Sequence, residues 1–299
     1  MISRMEPGQA SRTAVLVCQA RAAADDRVAL GRFADPFAAQ LLRPDELLPV
    51  EQVREGASPE QAQQRLAYEA VRACVEVVVP RTVTIDDAVR TAAHDQVVIV
   101  GAGLDTRPWR LTALRDAAVY VVDLPASLDD RRERSRALEE GAERPSTLEY
   151  LALDLSREDL GEGLARTSHD PTAPTTWVWE GVVPYLTALQ VESTVSTLAS
   201  RSASGSTLVI NYQAPSWRAG AGRTLMRVVA RLTSAPDALA EEPWQSAWTP
   251  SRMQALLARH GFSLESDEDL LVLAQRLGTP TRHRLSLRTG RVAVAPTAG

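Results

Sequence analysis

Short apolar runs that alternate with helical segments constrain the fold of this chain more than any other feature. Five such runs, rich in β-branched residues, occupy residues 96–100, 119–122, 148–153, 176–179 and 207–212. Helices are predicted between them at residues 125–140, 156–167 and 187–201. Strands that are apolar along their whole length and alternate with helices are typical of a parallel sheet covered on both faces. The sequence therefore predicts an α/β fold.

Small or acidic residues follow four of the predicted strands at the point where each strand ends. The first run leads into a turn that contains Gly101 and Gly103, and the next three lead into Asp123, Asp154 and Glu180. In an open parallel sheet, ligands bind outside the carboxyl ends of the strands. We therefore expect a binding site at this edge of the sheet, formed by residues from four separate strands.

The regions on either side of the alternating segment are predicted to be largely helical. Before residue 96, helices are expected at 11–24, 34–42 and 58–79, with a break at Pro80 and a further helix from residue 84. After residue 212, an insert with Arg, Pro and Gly precedes a helix at 251–260 and two final strands at 262–265 and 288–295.

These predictions suggest how the chain is organised. We interpret residues 1–299 as a single domain without internal repeats. Its parts are a helical N-terminal cap (1–95), a cofactor-binding core (96–212), a lid or substrate insert (213–250), and a C-terminal helix with a strand pair (251–299).

Composition and charge argue against several classes of function. The 299 residues carry a net charge of −5, so we expect no nucleic-acid partner, which would need a basic face. The chain has no lysine, which excludes a P-loop and a lysine Schiff base. Its two cysteines and four histidines lack metal-ligand spacing, so no metal site is expected. Because the sequence shows neither a signal pattern nor a membrane span, we expect a cytoplasmic protein without a membrane partner.

The glycine turn after the first strand is typical of a nucleotide site. Glycines let the backbone approach a ligand closely, and Asp123, at the end of the next strand, can accept hydrogen bonds from both ribose hydroxyls. Enzymes that bind NAD share this arrangement, but their fingerprint has Gly or Ala where this chain has Thr106. A ligand without a pyrophosphate therefore fits better. Arg107, the next residue, is expected to pair with an acidic residue and to shape the turn.

A resemblance to a known family rests on four stretches around the predicted strands: VVIVGAGLDTRPWRL, VYVVDLP, LALDL and WVWEGVVPYL. They are similar to the leucine carboxyl methyltransferase-like family of class I methyltransferases, as are ARAAADD, GRFADPFAAQLL and PRTVTIDDAV nearer the N-terminus. The resemblance implies a Rossmann-like sheet, mostly parallel with an antiparallel last strand, and S-adenosyl-L-methionine as the cofactor. Bacterial members include O-methyltransferases of secondary metabolism, so the implied acceptor is a small-molecule carboxylate or acidic hydroxyl.

The resemblance also implies which residues bind the cofactor. Arg81, and with it Arg21, corresponds to residues that pair with the methionine carboxylate, for which a guanidinium fork is suited. Glu180 is expected near the methionine amino group or the pocket floor. Along the rest of the cofactor, the implied residues are Gly101 and Gly103 at the methionyl and ribose region, Asp123 at the ribose, and Asp154 with Leu155 at the adenine.

The acceptor side is predicted only in outline. Tyr185 is expected in the pocket wall, and Trp217, Arg218 and Arg223 of the insert are expected to contact the acceptor. No motif supplies a general base, which agrees with an acceptor oxygen that is already ionised near neutral pH. Two alternatives stay open: an NAD(P)-dependent oxidoreductase, and a non-methylating S-adenosylmethionine-binding protein of the same fold. The oligomeric state is open too, with a homodimer as one alternative.

Overall fold

A seven-stranded sheet forms the centre of the molecule, in the order β3-β2-β1-β4-β5-β7-β6. The computed structural model describes residues 11–216 and 244–297. The strands are β1 (Gln96–Val100), β2 (Ala118–Asp123), β3 (Thr147–Ala152), β4 (Thr175–Trp179), β5 (Thr207–Gln213), β6 (Ser266–Asp269) and β7 (Gly290–Pro296). Strands β1 to β5 pair in parallel, whereas β7 runs antiparallel to its neighbours β5 and β6. The predicted α/β fold, mostly parallel with an antiparallel last strand, is confirmed.

The five strands predicted from apolar runs are all present, and each end lies within one residue of its predicted position. Strands β1 and β4, in the middle of the sheet, are buried at every residue. Because helices cover both of their faces, neither strand shows the alternation of polar and apolar residues that a half-exposed strand would have.

Ten α-helices and three short 3-10 helices surround the sheet in the part of the chain that is described. The α-helices are α1 (Arg12–Ala24), α2 (Pro44–Glu55), α3 (Ala62–Ala92), α4 (Arg107–Arg110), α5 (Pro125–Gly141), α6 (Leu160–Leu164), α7 (Ala188–Ser200), α8 (Pro250–Arg259), α9 (Leu270–Leu277) and α10 (Arg284–Thr289). The 3-10 helices are Ala38–Leu41, Thr112–Leu114 and Val183–Tyr185.

Helix α3 runs through Pro80 without ending, so the predicted break and restart were wrong. Proline removes one helical hydrogen bond, but Val78, Val79 and Val83 around it are buried in a core shared with α1. The Thr84 hydroxyl also donates a hydrogen bond to the Pro80 carbonyl at 2.9 Å. Tertiary packing thus outweighs the local preference of proline.

Two other N-terminal segments differ from the prediction. The predicted helix at 34–42 contains only the 3-10 turn Ala38–Leu41, where the Asp35 carboxylate accepts a hydrogen bond from the Ala38 N–H at 3.1 Å. Helix α2 was not predicted because prolines occur at positions 44 and 49 of its sequence. The first of them stands at the start of the helix, where its missing N–H costs nothing.

The C-terminal predictions were partly wrong. The strand predicted at 262–265 is absent from the described structure; Phe262 is instead buried and forms a single bridge with Thr297. The strand that does form, β6, lies at the edge of the sheet and is polar, so it gave no apolar signal. Two helices, α9 and α10, separate it from β7. Helix α6 is also shorter than the predicted 156–167, because it begins after an N-cap at Asp159.

Three apolar clusters connect the helices to the sheet and to its predicted binding edge. On one face, α7 and α8 share an apolar cluster with β1 and β4; on the other, α3, α5 and α9 share a second cluster with the same strands. The third cluster joins α1, α2 and residues 71–83 of α3 with Leu104 and Trp109, which follow the glycine turn. The N-terminal helices therefore lie against the turn that was predicted to bind a ligand.

The four-part division at residues 95, 212 and 250 stays a prediction. Strands β6 and β7 join the same sheet as β1 to β5. Within the described ranges, none of the helices combines the length and apolar character that crossing a bilayer requires.

Candidate functional site

The glycine turn has a backbone that only glycine adopts readily. Gly101 has φ +68° and Gly103 has φ +50°, both in the left-handed region. A Cβ at position 101 would overlap the Val182 side chain, and one at position 103 would lie 3.0 Å from the Ala14 Cβ of α1. The left-handed backbone therefore favours glycine at both positions, and at position 101 a Cβ would also force Val182 to move.

Asp123 ends β2 directly beside this turn. One of its carboxylate oxygens accepts a hydrogen bond from the Gly103 N–H at 2.6 Å, and the other accepts one from the Leu124 N–H at 2.7 Å. Burial raises the pKa of Asp123 above its ordinary value, although both N–H groups act in the opposite direction. These donors do not use every acceptor position of the carboxylate, so Asp123 keeps capacity for a further donor, as a ribose site requires.

Asp154 and Leu155 follow β3 at the same edge. In the parallel register Ala152 lies beside Asp123, so Asp154 stands two residues beyond that pair. Its carboxylate accepts hydrogen bonds from the Ser156 N–H at 2.9 Å and the Ser156 hydroxyl at 2.6 Å. Asp154 thus stabilises a local turn, and Leu155 packs against the core cluster on that face.

Glu180 ends β4, next to the glycine turn, because Trp179 pairs with Val100 in the sheet. One of its oxygens, Oε1, lies 2.7 Å from Arg81 Nε and 3.3 Å from Arg21 Nη2. The other oxygen, Oε2, accepts a hydrogen bond from Arg107 Nη1 at 2.7 Å. Three guanidinium groups, from α1, α3 and α4, therefore converge on one buried carboxylate.

Arg107 connects Glu180 to further carboxylates. Its side chain is fully buried, and its Nε donates to Asp86 at 2.7 Å. Its Nη1 also donates to the Asp105 carboxylate, and its backbone N–H donates to the same group at 2.8 Å. Arg107 thus pairs with acidic residues and shapes the turn. We use the name buried ion network for seven residues: Arg21, Arg81, Asp86, Asp105, Arg107, Arg110 and Glu180.

Thr106, at the position where dinucleotide sites have a third small residue, links the N-terminal segment to the turn. Its hydroxyl donates to the Asp35 carboxylate at 2.7 Å and accepts from Arg110 Nε at 3.1 Å. Arg110 in turn binds both oxygens of Asp86, at 2.5 and 3.0 Å. A glycine here could not make these contacts.

The carboxylates of the buried ion network are strongly ionised. Burial alone would raise the pKa of Glu180, but Arg107, Arg81 and Arg21 outweigh it and hold the pKa well below its usual range. The pKa values of Asp86 and Asp105 are lowered for the same reason, against the effect of burial. These groups are therefore negatively charged at neutral pH.

Sequence reasoning assigned no role to three members of the network, Asp86, Asp105 and Arg110. Asp86 was not singled out, yet it falls at helical spacing with Val79 and Val83, whose side chains are buried. An acidic residue on an otherwise apolar helix face implies a buried partner, so this signal could have been used. Which arginine supplies that partner depends on the tertiary fold.

The acceptor side is described in part. Tyr185 is half-buried in the 3-10 turn that follows Glu180. Its carbonyl accepts a hydrogen bond from the Gln245 side chain at 2.6 Å, and the neighbouring Pro184 carbonyl accepts from the Gln245 N–H at 2.7 Å. The other three residues predicted to contact the acceptor lie outside the described residues: Trp217, Arg218 and Arg223.

Sequence comparisons relate the chain to known proteins. The pattern that defines the leucine carboxyl methyltransferase family matches residues 14–199. A "putative S-adenosyl-L-methionine-dependent methyltransferase" of Mycolicibacterium paratuberculosis is 34% identical over 209 residues, which is 67% of this chain and 65% of that protein. A relative of the same description from Frankia alni is 33% identical over 230 residues, which is 74% of this chain and 71% of that protein.

Solved structures show the same fold. A protein described as a putative methyltransferase from Thermobifida fusca has a TM-score of 0.58 and 15% identity, over 98% of this chain and 96% of that chain. A DUF574 family protein from Streptomyces avermitilis has a TM-score of 0.56 and 14% identity, over 97% of this chain and 99% of that chain. At these identities the likeness concerns the fold alone.

Proposed function

Because this chain belongs to the leucine carboxyl methyltransferase family, a family of S-adenosylmethionine-dependent methyltransferases, we propose that it methylates an oxygen atom of a small molecule. The acceptor group is a carboxylate or an acidic hydroxyl, and the reaction belongs to secondary metabolism. One observation carries the proposal: Arg21, Arg81 and Glu180 form a buried set of two cations and one anion beside the glycine turn. Such a set is complementary to the carboxylate and ammonium groups of an amino acid.

The amino-acid end of S-adenosylmethionine fits the residues present. Arg21 and Arg81 are 3% and 8% exposed, and the Nε atom of each is buried without a hydrogen-bond partner among the described residues. Buried guanidinium donors without partners are costly, and a carboxylate would satisfy them. Glu180 offers the acceptor that an ammonium group needs.

The nucleoside end fits residues on the neighbouring strands. Asp123 is held by two backbone N–H groups and keeps acceptor capacity for the ribose hydroxyls. Asp154 and Leu155 supply an acceptor for the exocyclic amine of adenine and an apolar contact for its ring. Thr106 is the N-cap residue of the short helix α4, and its hydroxyl is bound to Asp35, so a polar side chain occupies the position where a dinucleotide site has Gly or Ala.

Methyl transfer from a sulfonium needs little from the protein beyond the correct positioning of the two reactants. When bound, the sulfonium of the cofactor supplies an activated methyl group for in-line displacement. The residues of this chain must orient the two reactants and exclude water. His94 and His169 contact Thr176 and Thr175, at the opposite end of β4 from Glu180. Their position supports an acceptor oxygen that is ionised without a histidine base.

The acceptor pocket is proposed to form around Tyr185. The described segments on either side of residues 217–243 both reach the turn of Tyr185: β5 contacts this turn, and Gln245 hydrogen-bonds to it. The arginines predicted to contact the acceptor, Arg218 and Arg223, would suit an anionic substrate.

Calorimetric titration tests the cofactor part of the proposal. Wild-type protein is titrated with S-adenosylhomocysteine and with NAD, beside Arg81→Gln and the matched surface variant Arg276→Gln. We expect binding of S-adenosylhomocysteine that Arg81→Gln weakens about tenfold or more and that Arg276→Gln leaves unchanged. Binding of NAD without binding of S-adenosylhomocysteine would identify an oxidoreductase instead.

Methyl transfer tests the acceptor part. The protein is incubated with methyl-labelled S-adenosylmethionine and a set of small carboxylic acids, phenols and enols. Methyl esters release labelled methanol in alkali, whereas methyl ethers do not, so the product distinguishes the two acceptor oxygens. Cofactor binding without transfer to any compound in an extract of the source organism would favour the non-methylating alternative.

A further inference from the structure

Two arginines of the proposed cofactor site share a single carboxylate. Arg21 and Arg81 both approach Oε1 of Glu180, and neither has another ion pair among the described residues. The Arg81 Nε lies 2.7 Å from this oxygen, but its N–H does not point at it well enough to make a hydrogen bond. The two arginines therefore share one carboxylate between them and keep unused donors, which suits a second carboxylate.

The other oxygen of Glu180 is held much more firmly. Oε2 accepts from Arg107, whose guanidinium is also bound to Asp86 and Asp105. The backbone after Glu180 is fixed as well, because the Gly181 N–H donates to Asn211 at 3.3 Å, and Asn211 is buried. Oε1, by contrast, contacts Arg21 and Arg81, neither of which is bound to another carboxylate among the described residues.

We propose that Glu180 is an internal competitor of the cofactor carboxylate, with Arg107 as its positioning residue. Without ligand, Oε1 neutralises part of the charge on Arg21 and Arg81. When the cofactor binds, its carboxylate pairs with both arginines in place of Glu180, and Oε1 then accepts a hydrogen bond from the cofactor ammonium. Arg107 stays bound to Oε2 both with and without the cofactor. The inference rests on the proposed function, since it assumes that the ligand has an amino-acid end.

Titration with three ligands distinguishes the two roles proposed for Glu180, which are competition with the ligand carboxylate and acceptance of a hydrogen bond from the ligand ammonium. The first is S-adenosylhomocysteine; the second is its deaminated analogue, which keeps the carboxylate and has hydrogen in place of the amino group. The third, 5′-deoxy-5′-methylthioadenosine, has neither group. Each is titrated calorimetrically into wild-type protein, Glu180→Gln, and the control Glu268→Gln, which removes a carboxylate from the exposed partner Arg276.

We expect opposite effects of Glu180→Gln on the first two ligands. Binding of the deaminated analogue should tighten about tenfold, because the competing carboxylate is gone. Binding of S-adenosylhomocysteine gains from the same change but loses the charged acceptor of its ammonium group, which is the larger effect, so it should weaken a few-fold. Methylthioadenosine binding should not change, nor should any affinity in Glu268→Gln. If Glu180→Gln weakens both carboxylate ligands alike, Glu180 does not compete and the inference is wrong.

Arg107→Lys tests the positioning role and covers the case in which Glu180→Gln fails to fold. A single ammonium group cannot reach Asp86, Asp105 and Glu180 together. We expect weaker S-adenosylhomocysteine binding with undiminished binding of the deaminated analogue; equal weakening of all three ligands would mean a purely structural role. If wild-type protein binds none of the three ligands, the proposed function itself fails, which is a different result from either outcome above.

Discussion

The nucleoside side and the amino-acid side of the proposed site are built in different ways. Asp154, on the nucleoside side, is held by Ser156, two residues further along the chain. Glu180, on the amino-acid side, is held by Arg21 and Arg107, which lie 159 and 73 residues earlier. One side thus depends on a local turn, and the other on a buried ion network that forms only when distant helices meet the sheet. The second arrangement should be much harder to alter without loss of stability.

The largest effect is expected from Arg107→Met. This change leaves Asp86, Asp105 and Glu180 buried without their shared cation, and breaking a buried ion pair by removing one partner costs about 3–5 kcal/mol. Urea unfolding followed by circular dichroism measures the free energy of unfolding. The exposed pair of Arg276 with Glu268 supplies the control: Arg276→Met should leave stability unchanged. A similar small change for both variants would remove the distinction between the two sides.

Gly101→Ala should come next, because it affects both the backbone and the packing of the turn. The left-handed φ of +68° and the overlap of the new Cβ with Val182 together should cost about 2–4 kcal/mol of unfolding free energy. Gly31→Ala is the matched control, since Gly31 has φ +75° and open space around it. The difference between the two measures the Val182 contact.

A double variant tests whether the overlap with Val182 causes the loss of stability in Gly101→Ala. Combining Gly101→Ala with Val182→Ala should recover part of the loss, because the shorter side chain leaves room for the Cβ. If the two single changes are simply additive, the overlap at Val182 is not what requires glycine at position 101.

The sequence predicted one side of the site better than the other, for a physical reason. Asp123 and Asp154 follow apolar runs, and the strand pattern alone brings them to the carboxyl edge of the sheet. The contacts of Glu180 come from helices whose positions relative to the sheet are set by tertiary packing. Strand spacing does not encode that packing, and only the family resemblance associated Arg81 with this edge.

Elements were missed where tertiary contacts overrule local preference. Pro80 was expected to end a helix, yet α3 continues through it because valines on both sides are buried. Strand β6 was misplaced because it is polar and pairs on one side only. At Pro80 the local signal was outweighed by long-range packing, whereas β6 gave no apolar signal from which it could be predicted.

The pH dependence of stability should also differ between the two sides. The pKa of Glu180 is lowered in the folded protein, so its contribution to stability is present above the unfolded pKa and is lost as the pH falls through the folded value. Asp123 has a raised pKa, so its protonation acts in the opposite direction. Wild-type protein should therefore lose stability in acid more steeply than Glu180→Gln. Urea unfolding at about pH 6, 4 and 3 compares the plateau with the range below the unfolded pKa, and parallel losses in both proteins would contradict the ionised state of Glu180.

The smallest effect is expected from Asp154→Asn, on the nucleoside side. The asparagine oxygen can still accept the hydrogen bonds from Ser156, so the turn persists and the free energy of unfolding should change by about 0.5 kcal/mol or less. Its amide group, however, presents a donor where adenine also presents one, so binding of S-adenosylhomocysteine should weaken a few-fold. Asp154→Ala, which removes the local turn as well, should cost about 1 kcal/mol. If Asp154→Asn instead destabilised the protein as much as Arg107→Met, the nucleoside side would have to depend on long-range contacts as well, and the two halves of the site would no longer differ in kind.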